Sequence, residues 1–117
     1  MLTSLGRFLR KLRIDRGEIL KDMADKLDVS VSFLSAVENG NKRMPSTWTA
    51  RICDLYELNE EQKGEFTSAI AETEKAIELD FSSVGASKRE LAVSFARQFS
   101  EIDDSQMEEI KKILKRR

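Results

Sequence analysis

Apolar residues recur every three or four positions along most of this chain, and turn-forming residues separate the runs. Leu5, Phe8, Leu9 and Leu12 fall at helical spacing, with Arg7, Arg10, Lys11 and Arg13 at other positions. They predict a first helix over 4–16, which Gly17 stops. Leu20, Met23, Ala24 and Leu27 predict a second over 20–27, and the small Ala24 lets another helix come close. Asp28 and Val29 form a turn from which Val29 plugs the core. Ser30 is the expected N-cap of a third helix that runs to Asn39, with Leu34 and Val37 inward. Asn39-Gly40-Asn41 is a stop signal. A fourth helix over 46–56 carries Trp48, Ile52, Leu55 and Tyr56, with Pro45 near its start.

The second half reads the same way. Asn59-x-x-Gln62 opens a fifth helix that can extend to Leu79, with Phe66, Ile70 and Ile77 as a stripe among glutamates. Residues 81–86 are the best linker. Ser87-x-x-Glu90 and Ser105-x-x-Glu108 are capping-box patterns. The helices they open carry Leu91, Phe95, Phe99 and Ile102, then Met107, Ile110 and Leu114. No stretch reads as a strand and no segment repeats. The expected class is all-α: a helical bundle over 1–66 and a helical extension over 67–117.

Composition narrows the function. The one cysteine, Cys53, excludes an intrachain disulfide and reads as a buried small hydrophobe. Histidine is absent, which removes the usual partner of a catalytic thiol and the usual zinc sites. There is no Gly-rich phosphate loop and no Gly-x-Ser-x-Gly. No enzyme activity, metal or cofactor is therefore expected. Apolar runs are too short to span a membrane, and the first residues lack a secretory core, so a cytoplasmic protein is expected. The net charge of −1 hides an asymmetry. Residues 1–56 hold ten Lys/Arg against seven Asp/Glu, whereas 57–117 hold ten against fourteen. The basic excess lies in the half with the two short helices and their tight turn.

That half resembles the Xre/lambda-repressor-like helix-turn-helix family over residues 5 to about 58. The resemblance rests on Arg13-Ile14-x-x-Gly17, Met23-Ala24-x-Lys26-Leu27, Val29-Ser30-x-Ser32-Phe33-Leu34-Ser35 and Val37-Glu38-Asn39-Gly40, in that order and spacing. It implies a compact bundle that binds operator DNA, usually as a dimer. The chain departs from the family in two places. Ile19 and Leu20 stand where threonine and glutamine often open the second helix, and Asp28 stands where glycine often makes the turn.

The resemblance also assigns roles. Val31, Ser32, Ser35 and Ala36, on the solvent side of the third helix, are expected at base edges in the major groove. Lys42 and Arg43 are the best phosphate contacts, joined by Lys21 and by Ser46 and Thr47 at the start of the fourth helix. Arg13 and Glu38 occupy positions that pair in several members of the family. Outside the resemblance, the half from about Phe66 reads from its own apolar stripes as an oligomerisation or effector segment: Leu91, Phe95, Phe99, Met107, Ile110 and Leu114 are expected at a homodimer interface, with packing onto the same chain as the alternative. Lys111, Lys112, Lys115, Arg116 and Arg117 read as solvated charges.

The leading expectation is a dimeric transcriptional repressor bound to double-stranded DNA. An antitoxin, holding a protein partner through its C-terminal helices, is one alternative. The other is a protein-interaction module that kept the fold and lost DNA binding.

Overall fold

The computed structural model describes residues 1–116 and groups the chain into two compact units, Met1–Leu79 and Asp80–Arg117. Among the described residues it is all-helical, with seven α-helices and no strand. The first unit holds α1 (Ser4–Arg16), α2 (Leu20–Lys26), α3 (Val31–Glu38), α4 (Trp48–Leu55) and α5 (Glu60–Thr73).

Local chemistry sets most of these boundaries. The Thr3 side chain accepts the Gly6 N–H and caps α1, which ends at Gly17 with φ 66°. The Asn59 and Gln62 side chains satisfy each other's backbone N–H groups at the start of α5, in a reciprocal capping box. The core comes from the stripes read in the sequence: Leu5, Leu9, Met23, Ala24, Leu27, Leu34, Val37, Trp48, Ile52 and Tyr56 are all buried. Val29, Phe33 and Cys53 pack against it from its edge.

The fifth helix departs from the expected domain division. A boundary at 66/67 cuts through α5, yet Phe66 and Ala69 are buried in the core of the first unit. Phe66 stacks on Phe8 with ring centroids 5.0 Å apart. The Thr73 hydroxyl accepts the Leu5 N–H at 3.1 Å, and Ser4 donates to Glu72 at 2.7 Å, so the end of α5 caps the start of α1. The helix also stops at Thr73 rather than running to Leu79. Beyond Thr73, Ile77 and Leu79 find nothing to pack on and are exposed. A helix is stabilised mainly by its buried face, and Glu72 and Glu74 oppose the dipole at its C-terminus.

The second unit holds α6 (Ala86–Gln98), a 3-10 turn over Phe99–Glu101 and α7 (Asp104–Lys115). Neither expected capping box forms. Helix α6 starts two residues early, with Gly85 rather than Ser87 at its N-cap and no side-chain cap. In α7 the reciprocal box belongs to Asp103 and Gln106, not to Ser105 and Glu108. The two patterns overlap, and the earlier one places Ile102 before the cap and Met107 at the fourth helical position, the pattern of a hydrophobic staple.

Candidate nucleic-acid interface

The turn between α2 and α3 sets the aim of the third helix. Asp28 takes the left-handed conformation at φ 58°, and the Val29 N–H then bonds Ala24 O at 3.0 Å. An aspartate tolerates this conformation better than most non-glycine residues. Ser30 follows in extended backbone and its Oγ accepts the Phe33 N–H at 3.0 Å. Arg51 of α4 closes the other side, donating to Lys26 O at 3.0 Å and Leu27 O at 3.3 Å, carbonyls that the end of α2 leaves open. No local signal announces Arg51, because its partners lie 24 and 25 residues away.

With Leu34 and Val37 in the core, α3 leaves Val31 and Ser32 exposed, Val31 at 41%, and Ser35 and Ala36 half-buried. Asn39, not among the expected contacts, donates its side-chain amide to Ser35 O at 3.0 Å and reaches Ser35 Oγ at 3.4 Å. Gly40 turns with φ 80°, and the N–H groups of Asn41 and Lys42 both bond Ala36 O, at 2.8 and 3.2 Å. The loop is thereby folded back against α3, so Lys42 leaves the backbone beside Ala36. Lys42 and Arg43 are exposed, as are Ser46 and Thr47. Thr47 stands at the N-cap of α4 without a side-chain cap bond. Lys21 is engaged elsewhere, with Asp25 at 3.0 Å. That hydrogen bond holds the Lys21 ammonium above its ordinary pKa.

A buried ion pair fixes α3 to α1. Arg13 donates to both carboxylate oxygens of Glu38, the Nη2–Oε1 bond being 3.1 Å, and its Nη1 lies 3.3 Å from the Met23 sulfur. Both side chains are nearly closed to water, at 8% and 4% exposure. The Glu38 carbonyl is held as well, by the Thr3 N–H at 3.0 Å and the Thr3 hydroxyl at 3.1 Å. Gly6 permits this approach, because a Cβ there would fall within 2.9 Å of the Glu38 carbonyl carbon.

A second cluster joins α1, α2 and α4. Glu18 accepts from Lys26 and, at 2.7 Å, from the Tyr56 hydroxyl. Lys26 and Arg16 both sit over the Tyr56 ring, at 4.9 and 5.4 Å. Burial pushes the Glu18 carboxyl up, but the hydrogen bonds from Lys26 and Tyr56 and the charges of Lys26 and Arg16 outweigh it and hold the group below its ordinary value. Burial and the Glu18 carboxylate push the Tyr56 phenol up. Burial likewise raises the Cys53 thiol, which keeps it protonated. Ile19 occupies the N-cap of α2 without any acceptor to offer. Only Asp22 reaches back, taking the Ile19 N–H at 2.8 Å.

In the second unit no described residue is buried. Leu91, Phe95, Phe99, Met107 and Leu114 are exposed, Leu91 at 68% and Phe99 at 63%, while Ile110 is half-buried. Phe95 and Phe99 pack on each other at 5.5 Å. A groove of about 330 Å³ opens among Leu91, Phe95, Ile102 and Ile110. Lys111, Lys112, Lys115 and Arg116 are solvated, whereas Arg117 lies outside the described residues. Among the described residues no helix is long and apolar enough to cross a membrane, and no three His, Cys, Asp or Glu side chains gather as metal ligands.

The capped α2–turn–α3 unit and its buried brace agree with a family match over residues 4–66, whose model describes a helix-turn-helix domain. The chain belongs to the helix-turn-helix domain family. It is also similar to the transcriptional regulator ClgR of Mycobacterium tuberculosis, from strains CDC 1551 / Oshkosh and ATCC 25618 / H37Rv. In each case 33% of 54 residues are identical, covering 46% of this chain and 48% of the relative. The chain thus spans about half the length of the curated relatives it matches. No solved structure matches it significantly.

Proposed function

We propose that the protein is a sequence-specific DNA-binding transcriptional regulator of the Xre type, a dimeric repressor that reads the major groove with α3. The observation that carries this reading is the outward face of α3. Val31 and Ser32 stand free on a helix whose opposite side is locked into the core by Leu34, Val37 and the Arg13–Glu38 pair. A helix held so rigidly presents its first turns as a fixed surface, and the Lys42-Arg43 loop is folded back against its end. Phosphate contacts from Lys42, Arg43, Ser46 and Thr47 would set register, with Lys21 as a further contact. Base edges would meet Val31, Ser32, Ser35 and Ala36. This set lacks a side chain that makes bidentate base contacts, so DNA shape carries part of the selectivity. The similarity to a relative named as a transcriptional regulator supports the same reading.

The exposed stripe of Leu91, Phe95, Phe99, Met107 and Leu114, with Ile110 beside it, supports a homodimer. A helix pair with no buried residue lacks a core of its own, and two operator half-sites call for a two-fold partner. A different protein on this stripe, as in an antitoxin, is the second reading.

Fluorescence anisotropy with DNA from upstream of the protein's own gene tests the first claim. Ala36→Glu should abolish operator preference with the fold intact. Tight operator binding by that variant would remove α3 as the reading head and favour a protein-interaction module. Light scattering tests the second claim: Phe95→Asp should convert a dimer into a monomer. A wild-type chain that is monomeric at micromolar concentration would leave the stripe for a different protein.

A further inference from the structure

The chain that follows α5 does not leave the first unit directly. Residues 74–79 run past the loop between α3 and α4, and Glu78 takes the Arg43 guanidinium at 2.8 Å. Glu74 faces the same loop, lining one cavity with Lys42 and Arg43 and another with Arg43, Ser46 and Glu78. The Glu78 carboxylate therefore stands where a phosphate oxygen would be needed if this loop holds DNA, and Glu74 adds a second acidic residue beside it. The segment is weakly fastened. Ile77 and Leu79 are exposed, so no apolar anchor holds it, and the Arg43–Glu78 pair is itself half open to water. An exposed pair of this kind contributes little to stability, yet it directs where the guanidinium points.

We propose that residues 74–79 form a displaceable acidic strap that competes with DNA phosphate for Arg43 and so sets the affinity of the interface. The inference rests on the DNA-binding reading above. The Glu78 carboxylate is one charge-assisted acceptor, and a phosphate offers the same chemistry with the surrounding field of the duplex behind it. A duplex phosphate at this loop displaces the strap, and the competition lowers binding to operator and non-specific duplex alike, because the phosphate is the same in both. The strap leads directly into Asp80 and the second unit in sequence, so an event that draws residues 74–79 away would free Arg43 without touching α3.

A double-mutant cycle on the full chain tests the strap, read by anisotropy with a labelled duplex at several salt concentrations. Glu78→Gln should tighten binding by about two- to five-fold at low salt, and the gain should shrink as salt rises. In an Arg43→Ala background the same change should give almost no gain, because the competition has lost its object. Glu78→Lys should tighten binding further in the Arg43 chain. Equal gains in both backgrounds would show long-range charge repulsion and overturn the strap, as would no gain in a wild-type chain that binds DNA. Binding by Glu78→Gln where the wild type fails to bind would support it strongly. If neither binds any duplex, the DNA-binding reading falls and the strap with it.

Discussion

Removing the Arg13 guanidinium should unsettle the fold more than any change to the α3 surface. Arg13→Ala deletes both hydrogen bonds to Glu38 and leaves that carboxylate at 4% exposure with no opposing charge. Losing one partner of a buried pair typically costs about 3–5 kcal/mol, because the survivor keeps its desolvation penalty. The lost packing against Met23 adds to the damage. A domain of this size has roughly 5–15 kcal/mol in total, so the variant should be marginal. The melting temperature should fall by about 4–8 °C per kcal/mol. Urea unfolding followed by circular dichroism measures the loss, with an unchanged slope showing that the unfolded state is unaltered. Arg13→Met combined with Glu38→Leu should recover much of the stability, since two apolar groups of similar volume bury no charge. A loss below about 1 kcal/mol would place the pair with weak surface pairs and refute the brace. A double variant no better than Arg13→Ala would show that packing, not charge, was lost.

Three further outcomes follow from the same first unit. Gly6→Ala gains up to about 1 kcal/mol in helix propensity but drives a methyl into the Glu38 carbonyl, so thermal melting should show a net loss of about 1–3 kcal/mol. Asp28→Gly relieves a left-handed non-glycine residue and should raise the melting temperature, offset in part by the freer unfolded chain; a decrease would mean that the Asp28 side chain holds the turn. Glu18 has its folded carboxyl held below the ordinary value of 4.5, so it adds stability above that pH and loses it as pH falls through the folded value. Glu18→Gln should therefore flatten the acid side of the stability–pH curve; an identical curve for the two proteins would exclude Glu18 as a source of the acid sensitivity.

Much of the first unit was legible in sequence because its signals are local. Gly17, Ser30 and Asn59 mark ends by satisfying backbone groups within three to five residues, and each stripe needs only its own helix to be recognised. The Arg13–Glu38 pairing was implied by the family resemblance rather than by any local signal, and the fold brings the two side chains together. Tertiary structure decided what depends on distant partners. Whether α5 belongs to the core rests on Phe8 meeting Phe66 and on Thr73 capping α1 across 68 residues, neither of which has a signature in the α5 sequence alone. The start of α7 was a different case: Asp103-x-x-Gln106 and Ser105-x-x-Glu108 overlap as local signals, and the structure forms the first. Arg51 and Glu78 read as ordinary surface charges until the fold supplies the open carbonyls of α2 and the guanidinium of Arg43. The sequence by itself determined which faces are apolar and where the capped helices of the first unit begin, because backbone capping and side-chain periodicity act over one or two turns. Only the tertiary structure decided which faces meet, because long-range contacts are selected by the shape of the whole core.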